Sequence, residues 1–489
     1  MSVELKSIPL VVQPSNRGNS TSTDARLVNA VAEQQPDGSV HVFRRPAIRF
    51  VSNLLTPGAD PQKTVGVHTK DAFYGFVAIY TASFAAKTEL YSVFAGTGAI
   101  ALIGNLGFAF EHDWEMSSNR ATPQQTLIVA GTGARWTDGV TLTTIAAWPP
   151  SAGGATRLGP MVYLDGLTFV LMSDGRLWNS AVNDVTTWAA LNFLQVRTDA
   201  DAPKAIQKQL TYIVVFKETS IDVFYNAAKP QGSPLARNDS AKNSSVGLLH
   251  TRSLVRINDI LIWVSRNSGG RTSISMMERL QVTDIATPNI ERLLAALTEG
   301  AEVYATGFSS GGHDFYLLSY NSVLASGILC YDLTSKAWAT WSSGALAQMS
   351  FLYTYTAPRA GGVILYDRTS TETYELDFTK YQDTDQDNTP YNIPVDIYTP
   401  LWDQQVRLKK QNVKLEIHGD QKSAGTVQVS TTDDDYQTWG PVRDVSLADG
   451  VATSVNWGTF RRRGWHISNN ENVPFRVTNL IAHIALGTA

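Results

Sequence analysis

"MVYLDGLTFVLMSDGRLWNS", Met161 to Ser180, decides how this chain is read. Asp165-Gly166 parts one apolar run from the next, and Asp174-Gly175 parts that run from a third. Asp-Gly tolerates the positive φ angles of a tight hairpin turn, so the stretch predicts consecutive antiparallel strands. The same grammar recurs in "AFYGFVAIYTA" (72–82), "AIALIGNLGFAF" (99–110), "QTLIVAGTGARWTDG" (125–139, with Asp138-Gly139) and "LTYIVVFKETSIDVFYNA" (210–227). Strand follows strand at about ten residues, the rhythm of an all-β sandwich or propeller. No repeat of fixed length appears, so blades here are degenerate or carry insertions.

Bulk properties agree. The chain has 489 residues, longer than one ordinary domain, which points to several domains or one large repetitive β-fold. Hydrophobic residues make up 43% and aromatics 10%, enough for a sizeable core. The twelve tryptophans suit pleated faces. A formal charge of −4 argues against a dedicated nucleic-acid binder, which carries a basic stripe. Cys330 is the single cysteine, which excludes an internal disulfide. With no basic start leading into an apolar run and no apolar stretch of about twenty residues, neither signal peptide nor membrane span is expected, and assembly in a cytoplasm is.

Three parts are expected along the chain. Residues 1–60 form an N-terminal arm and a hairpin turning at Asp37-Gly38. Residues 61–395 form a β-propeller of about six to seven blades. Residues 396–489 form a C-terminal β domain completing a β-rich platform with the N-terminal part. One segment departs from strand rhythm. In "IATPNIERLLAALTEG", Thr287 caps, Pro288 takes the first helical position, Ile290, Leu293, Leu294 and Leu297 share a face, and Gly300 ends a short helix over 288–299. "LCYDLTSKAWATW" (329–341) reads strand, polar turn, strand, in a kelch-like manner through Tyr331-Asp332, Trp338 and Trp341.

Two short motifs raise the question of chemistry. "VSTTDDDYQTWGP" (429–441) resembles the Asp-box hairpin of sialidase-type propellers: Thr431, Asp433, Thr438 and Trp439 fit, while Asp435 stands where that pattern has glycine. "FRRP" (43–46) resembles the Phe-Arg-x-Pro signature that places a sialidase arginine, here Arg44, on a substrate carboxylate. A sialidase also needs two further arginines, a Tyr/Glu nucleophile pair and an acid/base aspartate, and it repeats its Asp-box. One copy at the C-terminal end is a hairpin-stabilising turn, its carboxylate taking backbone N–H bonds while the tryptophan covers it.

Other clusters read as structure. "DTDQDN" places Asp383, Asp385 and Asp387 alternately, like a calcium loop. Asn388 replaces the loop's glycine and Pro394 stands where the closing glutamate belongs, so a solvated acidic loop is expected. The eight histidines lie singly, and His313 at the start of a strand reads as satisfying a turn. "GTGAR" (131–135) lacks the lysine and helix of a phosphate loop. "FRRRGWH" (460–466), as a strand, would send Arg461 and Arg463 to one side and Arg462 to the other. No catalytic, cofactor or metal residue is assigned, and neither cofactor nor enzymatic activity is expected.

Read in order, several segments resemble the tail nozzle, or packaged-DNA stabilisation, proteins of short-tailed bacteriophages. The first is "ARLVNAVAEQQPDGSVHVFRRPAIRFV" (25–51), running into Arg45-Pro46, although Ala47 stands where the family often has glycine. The second is "LNFLQVRTDADAPKAIQKQLTYIVVFKETSIDVFYNA" (191–227). The third, "RINDILIWVSRNSGGRTSISMMERLQVTDIATPNIERLL" (256–294), carries an Ile-x-Thr-x-x-Ile-Glu helix in Ile285, Thr287, Ile290 and Glu291. The resemblance implies a virion tail protein assembled in the host bacterial cytoplasm as a ring of six copies. Such a ring sits below the head-to-tail adaptor ring and contacts the tail needle or plug and the tail fibres or tailspikes. It closes the channel through which DNA leaves without sequence-specific binding. The alternative is a glycan-binding or sialidase-like propeller.

Overall fold

The computed structural model describes residues 3–486, except 11–24, 36–37, 57–59, 72–73, 83–85, 95–97, 108–113, 197–200, 242–244, 298–300, 323–325, 343–352, 360–361, 405, 407, 420–424 and 448–449. The opening stretch folds as its turns dictate. Asp165 and Gly166 both take positive φ (51° and 83°), joining Val162–Leu164 to Leu167–Leu171. Gly175, at φ 80°, returns the chain into Arg176–Asn179. The unbroken apolar runs have a physical reason. Phe169 and Leu171 pack toward one neighbouring sheet, while Val170, Met172 and Trp178 pack toward the other. Both faces are buried, so alternation with polar residues disappears.

The protein is all-β, with one α-helix among the described residues, and its strands make a β-propeller. Four-stranded sheets follow one another at 62–105, 115–144, 162–195, 203–237, 247–284 and 302–341, the fifth with a broken inner strand. A seventh is made of Tyr353–Arg359, Gly362–Asp367 and Glu372–Asp377, completed by the N-terminal strand Ala47–Asn53. Successive inner strands lie side by side, and Tyr353–Arg359 returns against Gln62–Thr69, closing the ring. An apolar cluster fills each gap between neighbouring blades. Ring closure by a strand from before the first blade ties together residues more than 300 positions apart, as Tyr374 facing Phe50 shows.

Beyond the ring, strands from both ends of the chain form two packed sheets. In one, Ala30–Gln34 and Val40–Arg44 make the expected hairpin, with Gly38 at φ 83°; Asp37 lies outside the described residues. This hairpin continues into Arg476–Leu486, Lys410–Gly419 and Val451–Val455. The other sheet grows directly out of the sixth blade. Arg26–Val28 pairs in parallel with that blade's edge strand Ala337–Trp341 and antiparallel with Val395–Tyr398, which pairs with Gly464–Asn469, and that strand in turn with Thr426–Thr432. A single apolar core joins the sixth and seventh blades to both sheets, from Phe315 and Leu365 to Val42, Ile417 and Trp465.

The helix, Pro288–Ala296, lies where the sequence places it. The Thr287 side chain accepts the Ile290 N–H at 3.4 Å, and Ile290 and Leu294 are buried between the fifth and sixth blades. Leu293 and Leu297 pack at the margin of the same core. Residues 298–300 lie outside the described residues.

Candidate functional site

The Asp-box-like turn is real as a turn, but its register differs from the sequence match. Asp434, not Asp433, is the turn carboxylate: its Oδ1 accepts the N–H groups of Gln437 (3.1 Å) and Thr438 (2.9 Å) and the Thr432 hydroxyl (2.8 Å). The Thr438 hydroxyl and N–H, with these other donors, hold the Asp434 carboxyl down to about 2. Asp435 and Tyr436 take left-handed φ angles of 60° and 65°, the conformation for which the motif uses glycine. Trp439 packs on Tyr436, Tyr398 and His466.

The flanking aspartates bind the basic run. Asp433 takes a bidentate pair of bonds from Arg463, both at 2.7 Å, and Asp435 pairs with Arg462. Arg463 also donates to the Trp457 carbonyl at 2.6 Å and is buried. The expectation of one strand over 460–466 is therefore corrected. Thr459–Phe460 and Gly464–Asn469 are separate strands joined by a bend, because these ion pairs turn the chain.

The Phe43 to Pro46 run is equally committed to the interior. Arg44 donates to the carbonyls of Glu471 (2.7 Å) and Val473 (3.2 Å) and to the Asn469 side chain. Burial, with neighbouring Arg45 adding, lowers the Arg44 guanidinium to about 10. Arg45 is buried and makes a fork with Asp383 at 2.6 and 3.0 Å. It further donates to Asn29 (3.0 Å) and to the Ser342 carbonyl (2.9 Å). Neither arginine faces open space in the way a substrate carboxylate requires.

Asp383 overturns the expectation of a solvated acidic loop. It sits in the strand Gln382–Thr384, is 1% exposed, and also accepts the Ile48 N–H at 2.8 Å. An acidic residue is buried here because a fixed guanidinium and a backbone donor replace its water. Asp385 is a turn residue, accepting Asp387 N–H (3.0 Å), Thr389 N–H (2.9 Å) and the Tyr391 hydroxyl (2.8 Å). Among the described residues, no group of three or more His, Cys, Asp or Glu side chains gathers to hold a metal ion. His313 starts its strand as read, and its Nδ1 lies 2.7 Å from Asp332, which also takes the Thr334 N–H and Ser335 hydroxyl. That bond to Asp332 raises the imidazole above its ordinary value.

One feature was invisible to sequence reading. Near the ring axis, inner strands and the turns before them enclose a cavity of about 610 Å³, with Arg157, Lys204 and Arg252 in its wall beside Glu115. A neighbouring cavity of about 590 Å³ shares Thr251, Arg252 and Tyr304 with it and adds Arg368, His250 and Glu302. Arg252 and Arg368 lie 4.9 and 4.8 Å from the centre of the Tyr304 ring, and Arg252 donates to its hydroxyl. Burial, with Lys204 adding, holds His250 down to about 4. These residues come from separate blades at unrelated spacings, so no linear signal could have found them.

The fold thus defines a ring-closed β-propeller whose motif-like arginines and aspartates serve as internal fasteners. Residues 82–381 match the family model Phage_stabilise, described as "Bacteriophage P22 Gp10, beta-propeller", and since that match spans more than half of the chain, the protein belongs to this family of phage structural proteins. No curated protein matches the chain. Among solved structures, BamB from Moraxella catarrhalis is similar at 12% identity over 68% of this chain and 99% of its own, with a TM-score of 0.38. The N-terminal domain of Nup159 gives 9% identity over 72% and 99%, with a TM-score of 0.38. An exo-β-1,3-galactanase from Phanerochaete chrysosporium gives 13% over 73% and 100%, with a TM-score of 0.28. At these scores the likenesses say nothing about function.

Proposed function

We propose that this protein is a non-enzymatic component of a phage tail, forming the distal nozzle as a ring of six copies that closes the DNA exit channel until ejection. The observation that carries the reading is the family match over residues 82–381. The site chemistry supports it. Arg44, the arginine a glycosidase reading would use, and its neighbours in the motif-like runs, Arg45 and Arg463, are taken up by internal carbonyls and carboxylates. The platform sheets and the outer edges of the propeller would meet neighbouring copies, the adaptor ring above, and the needle and fibres around the exit. Heterologous contacts of this kind close into a ring when the rotation is right. Electron microscopy of assembled tails tests the proposal: six copies at the distal end support it, and one copy per virion overturns it. Turnover of a fluorogenic sialoside that disappears in Arg44→Ala would restore the glycan reading.

A further inference from the structure

We propose that the two adjoining axial cavities of the propeller, which share Arg252, together form a binding site for a compact polyphosphate, held by Arg157, Lys204, Arg252 and Arg368. The proposal goes beyond the tail role and neither stands nor falls with it.

Across the two adjoining cavities the lining contains those four cations and only two carboxylates, Glu115 and Glu302. Among the lining residues themselves the formal charges sum to plus two. Glu218, 3.8 Å from Lys204, offsets that cation from outside the lining, so that one positive charge remains in excess when it is counted. Cations gathered in a concave, partly buried space focus their field on whatever enters it. Burial keeps the His250 imidazole neutral, and Lys204 adds to this.

Chemistry and size then narrow the ligand. Three of the four cations are arginines, whose planar fork matches phosphate oxygens two at a time. Positioning is built in. Arg157 donates to the Gly159 carbonyl, and Arg252 and Arg368 both lie against the buried Tyr304 ring. A single carboxylate needs one or two such groups, whereas four spread along two adjoining cavities suit several linked anionic centres. Cavities of about 610 and 590 Å³ fall in the range of small-ligand sites and are far too small for a duplex. The shared chemistry is a phosphate chain, either free or at the end of a single strand.

The test is calorimetric titration of the full-length chain with tripolyphosphate and, separately, with a 5′-phosphorylated oligothymidylate. One tripolyphosphate per chain is expected, weakened at least roughly tenfold in Lys204→Gln/Arg252→Gln at unchanged melting temperature. Glu302→Gln removes an exposed opposing charge and is expected to tighten binding, which keeps the test decisive if the double variant fails to fold. The His250 titration midpoint, followed by NMR, is expected to rise when ligand is bound. Tighter binding of tripolyphosphate assigns a free ligand, and tighter binding of the oligonucleotide assigns a strand end. No binding at concentrations on the order of 1 mM overturns the proposal. So does binding that ignores all three substitutions, or binding of a polyglutamate peptide but not of tripolyphosphate.

Discussion

Between the first and sixth blades, the packing partners are neighbours in sequence. Where the sixth and seventh blades meet the platform sheets, they come from opposite ends of the chain. The first region is held by apolar clusters such as Phe169, Leu171, Ile213 and Val215, each spanning two consecutive blades. The second also uses buried charge: Arg45 reaches Asp383 across 338 positions, and Arg44 reaches Asn469 across 425. Consecutive blades can find each other by hydrophobic contact alone, because the connections are short and the loop to close is small. Distant segments need a partner that accepts one geometry only, and a bidentate ion pair supplies that. Buried charge is not confined to this seam, since Lys217 and Asp222 pair at 3.0 Å in the fourth blade. Those two, however, belong to one hairpin, so the pair is local.

If the seam depends on that pair, its loss should cost most. Arg45→Ala leaves Asp383 as an unpaired buried carboxylate, and a loss of about 3–5 kcal/mol is expected from such a break. Chemical denaturation would measure it. The double replacement Arg45→Met/Asp383→Leu is expected to recover much of the loss, because no charge then stays buried without a partner. A single variant of wild-type stability would show that the two ends of the chain are joined by apolar packing alone.

A cavity in the consecutive-blade region should cost about 2–5 kcal/mol, the range for large-to-small core changes. Leu177→Ala is suited to this, since Leu177 is wholly buried between the third and fourth blades. Limited proteolysis sharpens the contrast. This variant should open within 162–237 while the platform stays intact, whereas Arg45→Ala should release residues from both chain ends. The same cut pattern in both variants would mean that the molecule has no such division.

These two regions differ as much in how far sequence reading reached them. The hairpin turns at Asp165-Gly166 and Asp174-Gly175 were legible because the residues that need positive φ are themselves the signal. So was the helix cap at Thr287. Asp383 was misread as solvated because alternating aspartates carry no mark of a guanidinium 338 positions away. At the 433–435 turn the motif was visible but its register was not. Three consecutive aspartates are equivalent in sequence, and only the left-handed backbone at Asp435 and Tyr436 makes Asp434 the one that caps. The axial cavity was illegible for the same reason as the ion pair, since its cations converge only in the closed ring.

pH separates the buried carboxylates from the exposed one. Asp367, in the seventh blade, is raised by burial to about 6 from an ordinary 3.8. Its neutral form is favoured by folding, so its contribution is full below about 4 and is lost as pH rises toward and through about 6. Asp367→Asn should therefore stabilise the protein at pH 7, by up to about 3 kcal/mol, and flatten the fall in melting temperature over that window. Asp434 has the opposite sign. Its carboxyl is depressed to about 2, so its contribution is present above about 4 and is lost as pH falls through 2. A melting temperature that falls between pH 4 and 6 in the wild type, and equally in Asp367→Asn, would remove Asp367 as the cause.

The smallest effect belongs to the most local feature. Thr287 accepts one otherwise unpaired N–H of the helix Pro288–Ala296, at a long 3.4 Å, and Pro288 already lacks an N–H that would need a partner. Thr287→Ala is expected to cost about 1 kcal/mol, and Thr287→Gly less, because glycine leaves room for water to reach the Ile290 N–H. The helix also buries Ile290 and Leu294 between the fifth and sixth blades, so those contacts hold it in place when the cap is lost. Hydrogen exchange at Ile290 and Glu291 should therefore quicken while the neighbouring strands stay protected. If Thr287→Ala instead exposes the strands Thr272–Glu278 and Glu302–Ser310 together, the helix is no surface element. It would then be a wedge between consecutive blades, and the sixth blade would depend on a local signal as strongly as the seam depends on Arg45.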